Sequence, residues 1–204
     1  MAVELYVPDM TFVIRERSDR TADFEWVQRT TVDIFKDKRV VVFSLPGAFT
    51  PTCSSTHLPG FEINYDRIIE QDIDEVYCLS VNDSFVMNAW FSAQEITKVK
   101  ALPDGNGDFT RAMGMAVKKE NLGFGIRSHR YAMVVDNGRV EAIWSEPNKL
   151  DNFEGDPFTI SDSKTVLTYL EDVCQPRREA LERIAQEAKQ AEMDQEETSD
   201  VEVN

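Results

Sequence analysis

One cysteine occupies a position at which the sequence could activate a thiol. Cys53 lies three residues after Thr50 and seven after Pro46, between an apolar segment and a stretch with helical spacing of apolar residues. Unpaired N–H groups at a helix N-terminus carry partial positive charge and stabilise a thiolate. Together with the Thr50 hydroxyl, they could also hold an oxygen ligand near the sulfur. From position alone, Cys53 fits a nucleophile and an unreactive core cysteine equally well.

The segments around Cys53 alternate between strand and helix patterns. Residues 40–45 are a continuous apolar run rich in β-branched residues, which predicts a strand covered on both faces. Asn137-Gly138 predicts a tight turn between strands at 131–135 and 139–144. Further strands are predicted at 75–81 and 99–102, and helices at 53–69 with a kink at Pro59-Gly60, at 84–90, at 109–115 and at 163–174. This order is typical of an α/β domain with a mixed sheet and helices on both faces.

Composition and charge describe an acidic globular chain. The chain has 22 Lys and Arg residues against 37 Asp and Glu, a net charge of -15, which argues against nucleic acid or an anionic membrane as a partner. No segment approaches the roughly eighteen apolar residues of a membrane span. The N-terminus resembles neither a secretory signal nor a transit sequence. Three cysteines without a C-x-x-C pair suit a reducing compartment, so we expect a cytoplasmic protein.

The C-terminal segment differs in composition from the rest. From Pro176 onward, nine acidic residues stand against four basic ones, a net charge of -5. A proline suited to a first helical turn and a narrow apolar stripe predict a helix over about 177–193, and the acidic residues 194–204 are expected to be disordered. We therefore expect one α/β domain over 1–175 and an acidic helical extension over 176–204. Such an extension is typically solubilising; docking of a basic partner is the alternative.

The residues around Cys53 resemble a known active-site motif. The spacing Pro46-x-x-x-Thr50-x-x-Cys53 is similar to the peroxiredoxin signature, and the string PGAFTPTCSSTHLPGF resembles the peroxiredoxin-5 type. Further similarities lie at 81–90, 103–107, 113–115, 122–125 and 127–131. The likeness is greatest to the peroxiredoxin half of bacterial hybrid peroxiredoxin-glutaredoxin proteins and covers roughly 4–169, without a glutaredoxin part after it. It implies a thioredoxin fold and a thiol-dependent peroxidase.

The resemblance gives each residue of the motif a role. Cys53 would be the peroxidatic nucleophile, Thr50 would hydrogen-bond the peroxide, and Pro46 would shield the thiolate from water. Arg130 matches the family's active-site arginine and would stabilise the thiolate and polarise the peroxide, with Arg127 as the alternative. The substrates implied are hydrogen peroxide and small organic hydroperoxides. Attack on one peroxide oxygen would leave a sulfenic acid on Cys53.

The reducing half of the catalytic cycle depends on whether the chain has a second, resolving cysteine. Some peroxiredoxin-5 type proteins carry a resolving cysteine before the last helix, but residues 155–161 contain none. Cys78 fits an inert strand position, and Cys174 is a candidate resolving cysteine. The resemblance favours a one-cysteine cycle in which an external thiol, either glutathione with a separate glutaredoxin or thioredoxin, reduces the sulfenate. No bound cofactor or metal is expected, and a homodimer is expected from the family.

Other chemistries fit the sequence less well. His57 follows Cys53 by four residues, the spacing of a helical metal pair, but no third ligand is near and a structural role is favoured. His129 as the base of a cysteine protease has no supporting residues around it. The absence of C-x-x-C argues against a general thiol-disulfide oxidoreductase. The main alternative is a redox-sensing or holdase module in which Cys53 oxidation changes a partner-binding surface and the acidic extension makes the contact.

Overall fold

A five-stranded mixed sheet forms the centre of the structure, a computed structural model that describes residues 4–17, 23–173, 179–180 and 183–184. In chain order the elements are β1 (Thr11–Arg17), β2 (Phe24–Thr30), α1 (Thr31–Phe35), β3 (Arg39–Ser44), a π-helical turn (Cys53–His57), α2 (Leu58–Ile69), β4 (Glu75–Ser80), α3 (Ser84–Ala93), β5 (Lys100–Pro103), α4 (Asp108–Ala112), β6 (Ala116–Lys118), a 3-10 turn (Glu120–Leu122), β7 (Ile126–Ser128), β8 (Tyr131–Asp136) and β9 (Arg139–Ser145). Residues 163–173 are helical as well.

The sheet has the strand order β5-β4-β3-β8-β9. β3 pairs in parallel with β4 and antiparallel with β8, and β4 pairs in parallel with β5. Every residue of β3 is buried, as its continuous apolar run predicts for a strand covered on both faces. The predicted α/β class with a mixed sheet is therefore confirmed.

The β8–β9 hairpin turns at the predicted residues. Asn137 and Gly138 have φ angles of 48° and 82°, so both central positions are left-handed. Asp136 pairs with Arg139 across the turn, which leaves a two-residue loop. A turn of this geometry favours asparagine followed by glycine, because those residues tolerate positive φ best. β8 is thereby held antiparallel beside β3, with its first residues at the same sheet edge as the end of β3.

Two small antiparallel sheets and one short helix were not predicted. β1 pairs with β2, and β6 pairs with β7. β1 contributes Phe12 and Ile14 to the hydrophobic core and leaves Val13 exposed, so only alternate positions are buried. α1 begins with a capping box, in which the Thr30 hydroxyl accepts from the N–H of Asp33 and the Asp33 carboxylate accepts from the N–H of Thr30.

The C-terminal predictions fall mostly on residues that the structure does not describe. The chain divides into compact units of residues 1–167 and 168–204. The predicted boundary at 175/176, Cys174, and the helix and disordered end predicted over 177–204 lie outside the described residues, apart from 179–180 and 183–184, which are helical. Across the described ranges, no helix combines the length and apolar character needed to cross a bilayer.

Candidate active site

Cys53 lies just beyond the carboxyl end of β3, near the start of a helix. Residues 51–52 are already helical, and the N–H of Ser54 donates to the carbonyl of Thr50 at 3.0 Å. The N–H groups of Thr52 and Cys53 therefore precede the first helical hydrogen bond. Cys53 itself is completely buried. This location at a helix N-terminus is the one predicted from the sequence, and the backbone dipoles there favour a negatively charged sulfur.

A π-helical turn over Cys53–His57 joins Cys53 to α2. The N–H of Leu58 donates to the carbonyl of Cys53, five residues back, so this turn is wider than an α-helical one. Pro59 follows immediately and has no N–H to donate, so the regular hydrogen-bond ladder cannot continue through it. The predicted irregularity of this helix is present, but it lies before Pro59-Gly60 rather than at that pair. Widened turns of this kind are frequent at functional sites.

Arg130 reaches Cys53 from the residue just before β8. Its side chain is only 2% exposed, and its Nη1 lies 3.6 Å from the sulfur of Cys53. Nη1 also lies 3.0 Å from Nδ1 of His57, while Nη2 donates to Oδ1 of Asp156 at 2.5 Å. A guanidinium held this close in a buried site favours the thiolate over the neutral thiol. The structure thus brings together Cys53 and the arginine that the resemblance selected.

The alternative arginine, Arg127, has different partners. Its Nε donates to the carbonyl of Phe124 at 2.9 Å, and its Nη1 donates to the carbonyl of Val81 at 3.2 Å. Burial lowers the pKa of its guanidinium. Its Nη1 would stand 3.0 Å from a Cβ added to Gly47, so Arg127 packs against the loop before Cys53. These contacts give Arg127 a role in holding the loops and leave Arg130 as the cation at the sulfur.

His57 is a buried neutral residue beside Arg130. A guanidinium can only donate, so Nδ1 of His57 accepts from Arg130 and the ring proton sits on Nε2, which donates to the carbonyl of Ser161 at 3.1 Å. The ring also packs against Phe43, Phe61 and Phe158. Burial and then the charge of Arg130 lower the pKa of His57 to about 3. With both ring nitrogens engaged and a cation adjacent, the pair of Cys53 and His57 does not suit a metal ion.

The depressed pKa of His57 predicts a specific sensitivity to acid. The unfolded chain takes up a proton on this histidine below its ordinary pKa of 6.5, whereas the folded protein does so only near pH 3. The stability contributed by neutral His57 is therefore complete above pH 6.5 and is lost progressively as the pH falls toward 3. We expect urea unfolding of the wild type to show a steeper loss of stability between about pH 7 and pH 4 than His57→Gln.

The control is the comparison of wild type and His57→Gln at each pH. All other titrating groups are common to the two proteins, so the difference in their unfolding free energies isolates position 57. That difference should shrink on acidification. A difference that stays constant across the pH range would contradict a neutral, buried His57.

The loop between β3 and Cys53 has a fixed shape. The Thr50 hydroxyl donates to the carbonyl of Gly47 at 2.8 Å, and Oδ1 of Asn82 accepts from the N–H of Ala48 at 3.0 Å. Phe49 is held at a φ of 61°, a left-handed conformation that is uncommon for a residue with a large side chain. Because the hydroxyl proton of Thr50 is used within the loop, the oxygen faces a ligand as an acceptor. It suits the O–H of a hydroperoxide.

Pro46 lies beside the buried guanidinium. It lines, with Arg130, Asp156 and Pro157 among others, a cavity of about 10 Å³, close to the minimum volume that one water molecule needs. The shielding of the Cys53 thiolate that the resemblance implies for Pro46 stays a prediction.

The other chemically active side chains singled out in the sequence lie apart from this arrangement. Cys78 is buried in β4, and burial raises the pKa of its thiol well above the ordinary value, so it stays protonated. Nε2 of His129 donates to the carbonyl of Glu146 at 2.7 Å, and burial lowers its pKa. That hydrogen bond holds the His129 ring by a main-chain carbonyl and does not suit a general base for Cys53. Cys174 lies outside the described residues.

Three groups that complete the surroundings of Arg130 and His57 were not predicted from the sequence. They are the carboxylate of Asp156, the ring of Phe158 and the carbonyl of Ser161, all within one segment before the last predicted helix. This segment is about a hundred residues from Cys53 in the chain, so local patterns carry no signal of the contact. The only feature of this segment that the sequence pointed to is its lack of a resolving cysteine.

Comparisons with known proteins show which proteins the chain resembles. Residues 14–157 match the Redoxin family model. A peroxiredoxin from Rhizobium etli is 49% identical over 173 residues, which cover 83% of this chain and 97% of that protein. The hybrid peroxiredoxin hyPrx5 from Haemophilus influenzae is 49% identical over 164 residues, which cover 80% of this chain and 64% of that protein. The crystal structure of the Plasmodium falciparum antioxidant protein, a 1-Cys peroxiredoxin, superimposes with a TM-score of 0.77 at 34% identity, over 82% of this chain and 98% of that one.

Proposed function

The chain is a peroxiredoxin of the Redoxin family with a thioredoxin fold, and therefore a thiol peroxidase, and we propose that Cys53 is the nucleophile through which it reduces hydrogen peroxide and small organic hydroperoxides. The observation that carries the proposal is the contact between a buried guanidinium and a buried thiol, with Nη1 of Arg130 at 3.6 Å from the sulfur of Cys53. A thiol without such a cation nearby would be mostly protonated and weakly nucleophilic.

In the oxidising step, the Cys53 thiolate attacks the terminal oxygen of the hydroperoxide. A sulfur–oxygen bond forms and the oxygen–oxygen bond breaks, so the sulfur is oxidised to a sulfenic acid and the peroxide is reduced to an alcohol or water. The leaving oxygen develops negative charge and takes up the proton that the thiol gave up. Arg130 stabilises that charge, while the Thr50 oxygen accepts the peroxide O–H and aligns the reacting atoms.

In the reducing step, an external thiol restores Cys53. The thiol sulfur attacks the sulfenate, water leaves, and a mixed disulfide forms, which a second thiol then cleaves. Glutathione with a glutaredoxin is the favoured donor, and thioredoxin is the second candidate. Two observations support a one-cysteine cycle: residues 155–161 contain no cysteine, and the Cys78 thiol is buried and protonated. We further propose that the enzyme works in the cytoplasm as a homodimer.

A donor comparison tests the cycle. We expect peroxide turnover with glutathione, glutaredoxin and glutathione reductase to exceed turnover with thioredoxin and thioredoxin reductase. The variant Cys174→Ser should turn over as fast as the wild type with either system, because an external thiol performs the resolving step. NADPH consumption in a coupled assay measures both. A selective loss of turnover in Cys174→Ser would instead make Cys174 the resolving residue.

The same assay separates an enzyme from a redox-sensing or holdase module. A module of that kind needs oxidation of Cys53 once, and it shows no sustained turnover with any donor. Truncation after residue 175 would then abolish binding to its partner. For the peroxidase, truncation leaves the KM for peroxide unchanged.

A further inference from the structure

We propose that Glu146 is a positioning residue for the peroxidase reaction, because it fixes the segment 156–161 as the surface against which Arg130 and His57 are aligned with Cys53. We call residues 156–161 the clamped segment. This inference rests on the proposed function of Cys53. It identifies Glu146 as the residue that orders the groups around Cys53. Glu146 does not touch the sulfur and acts only through other residues.

The Glu146 carboxylate is buried and holds three consecutive residues at once. The residue is 2% exposed and follows directly after β9. It accepts from the N–H and hydroxyl of Thr159, each at 2.8 Å, from the N–H of Ile160 at 2.9 Å, and from the N–H and hydroxyl of Ser161 at 2.9 and 2.8 Å. Burial alone would raise the pKa of Glu146, but these hydrogen bonds lower it to about 2. The carboxylate is therefore charged throughout the physiological range.

The clamped segment supplies three groups to the site. The carbonyl of Ser161 accepts from Nε2 of His57, which fixes the tautomer that can accept from Arg130. The ring of Phe158 lies 4.8 Å from the His57 ring and 5.5 Å from the Arg130 guanidinium carbon. The carboxylate of Asp156 accepts from Nη2 of Arg130. The clamped segment thus contacts both Arg130, the cation beside the sulfur, and His57, which adjoins Arg130.

The main chain of Glu146 holds the other side of the same arrangement. Its N–H donates to the carbonyl of Arg130 at 3.1 Å, and its carbonyl accepts from Nε2 of His129 at 2.7 Å. The side chain of Glu146 therefore fixes the partners of the guanidinium, while its backbone fixes the residue that carries the guanidinium.

The alignment of Arg130 depends on these contacts because few other groups restrain it. Within the described part of the chain, Nε of Arg130 is buried without a hydrogen-bond partner, so the orientation of the guanidinium is set through its two Nη atoms. Asp156 is 44% exposed, and its loop would be free to move if the clamped segment were released. A displacement of about 1 Å at a reacting group can cost up to about 100-fold in rate.

Three variants test the proposal on the full chain. Glu146→Ala removes all five hydrogen bonds and should lower the rate constant of Cys53 oxidation by hydrogen peroxide about 10- to 100-fold. Its pH–rate profile should move to higher pH, since a guanidinium displaced from the sulfur favours the thiolate less. Glu146→Gln keeps an oxygen for the N–H groups, and its amide can donate to the Thr159 hydroxyl, so we expect the rate and the profile to return toward wild type.

Glu62→Ala is the matched control. The Glu62 carboxylate also clamps three consecutive residues, by accepting from the N–H groups of Thr97, Lys98 and Val99 and from the Thr97 hydroxyl. Those residues precede β5, and the hydrogen bonds described for the side chains of Arg130 and His57 involve other residues. Its removal should lower stability but leave the rate constant and the pH–rate profile unchanged.

Each outcome decides the proposal. Wild-type kinetics in Glu146→Ala, or an equal loss in Glu62→Ala, would overturn it. If Glu146→Ala does not fold, Glu146→Asp takes its place. The aspartate keeps the charge but is one methylene too short to reach all three residues. A wild-type pH–rate profile in Glu146→Asp would overturn the proposal as well. If the unmodified protein itself failed to react with peroxide, the proposed function of Cys53 would fail instead, independently of Glu146.

Discussion

Replacement of Cys53 by serine should abolish peroxide reduction. An alcohol is far less acidic than a thiol and cannot accept the peroxide oxygen as a sulfenic acid, so no part of the catalytic cycle remains. We expect a loss on the order of 10⁶-fold, the scale on which removal of a nucleophile acts in a well-studied hydrolase. The measurement is the consumption of one equivalent of hydrogen peroxide by the reduced protein, which needs no external donor.

The matched control for this substitution is Cys78→Ala. Cys78 is also completely buried, but it lies within β4 and its thiol is protonated. The variant should still consume one equivalent of peroxide at nearly the wild-type rate. Consumption of a full equivalent by Cys53→Ser would show that the nucleophile is another residue.

The second large effect concerns Arg130. Arg130→Met removes the positive charge at 3.6 Å from the sulfur and, with it, stabilisation of the leaving oxygen. Loss of one such group typically costs about 10²- to 10³-fold. We expect a decrease in that range in the rate constant of Cys53 oxidation, measured by stopped flow. Arg130→Lys should recover only part of it, because an ammonium group cannot hold His57, Asp156 and the sulfur with one planar fork.

The pH dependence of Arg130→Met separates the two effects of the guanidinium. High pH ionises more of the thiol and should restore the part of the rate that depends on thiolate formation. The deficit that persists at high pH then measures stabilisation of the leaving oxygen. Arg127→Met is the control, since Arg127 contacts the carbonyls of Val81 and Phe124. A comparable loss in both arginine variants would refute a specific role for Arg130.

Local patterns in the sequence were sufficient where a feature depends on neighbouring residues. The continuous apolar run of β3 and the Asn137-Gly138 turn of the β8–β9 hairpin lie where they were predicted. Cys53 follows β3 at the start of a helix, also as predicted. In β3, burial on both faces restricts the residue types strongly enough to predict the strand from the sequence. In the hairpin, positive φ at two adjacent positions does the same for the turn.

Features that depend on distant contacts were not predicted. In the paired strands β1 and β2 only Phe12 and Ile14 are buried, and the other apolar side chains are partly or fully exposed, so the apolar pattern does not indicate strands that reach the core. The hydrogen bonds from Glu146 to the clamped segment and from there to His57 join residues that lie 13 to 104 positions apart. A glutamate that follows a strand resembles any solvated acid in the sequence. Only the fold shows that its carboxylate is enclosed by hydrogen-bond donors.

The complete burial of Cys53 separates the two substrates of the enzyme by size. A hydroperoxide is small and uncharged and needs only a small displacement around the sulfur, whereas a tripeptide or protein thiol cannot reach a sulfur with no exposed surface. The sulfenate must therefore become accessible by a local opening before any reductant attacks it. This first-order opening then sets an upper limit on turnover that no donor can exceed, while donors still differ in turnover below that limit. Oxidation carries no such ceiling, so a sudden excess of peroxide accumulates the enzyme in its oxidised form.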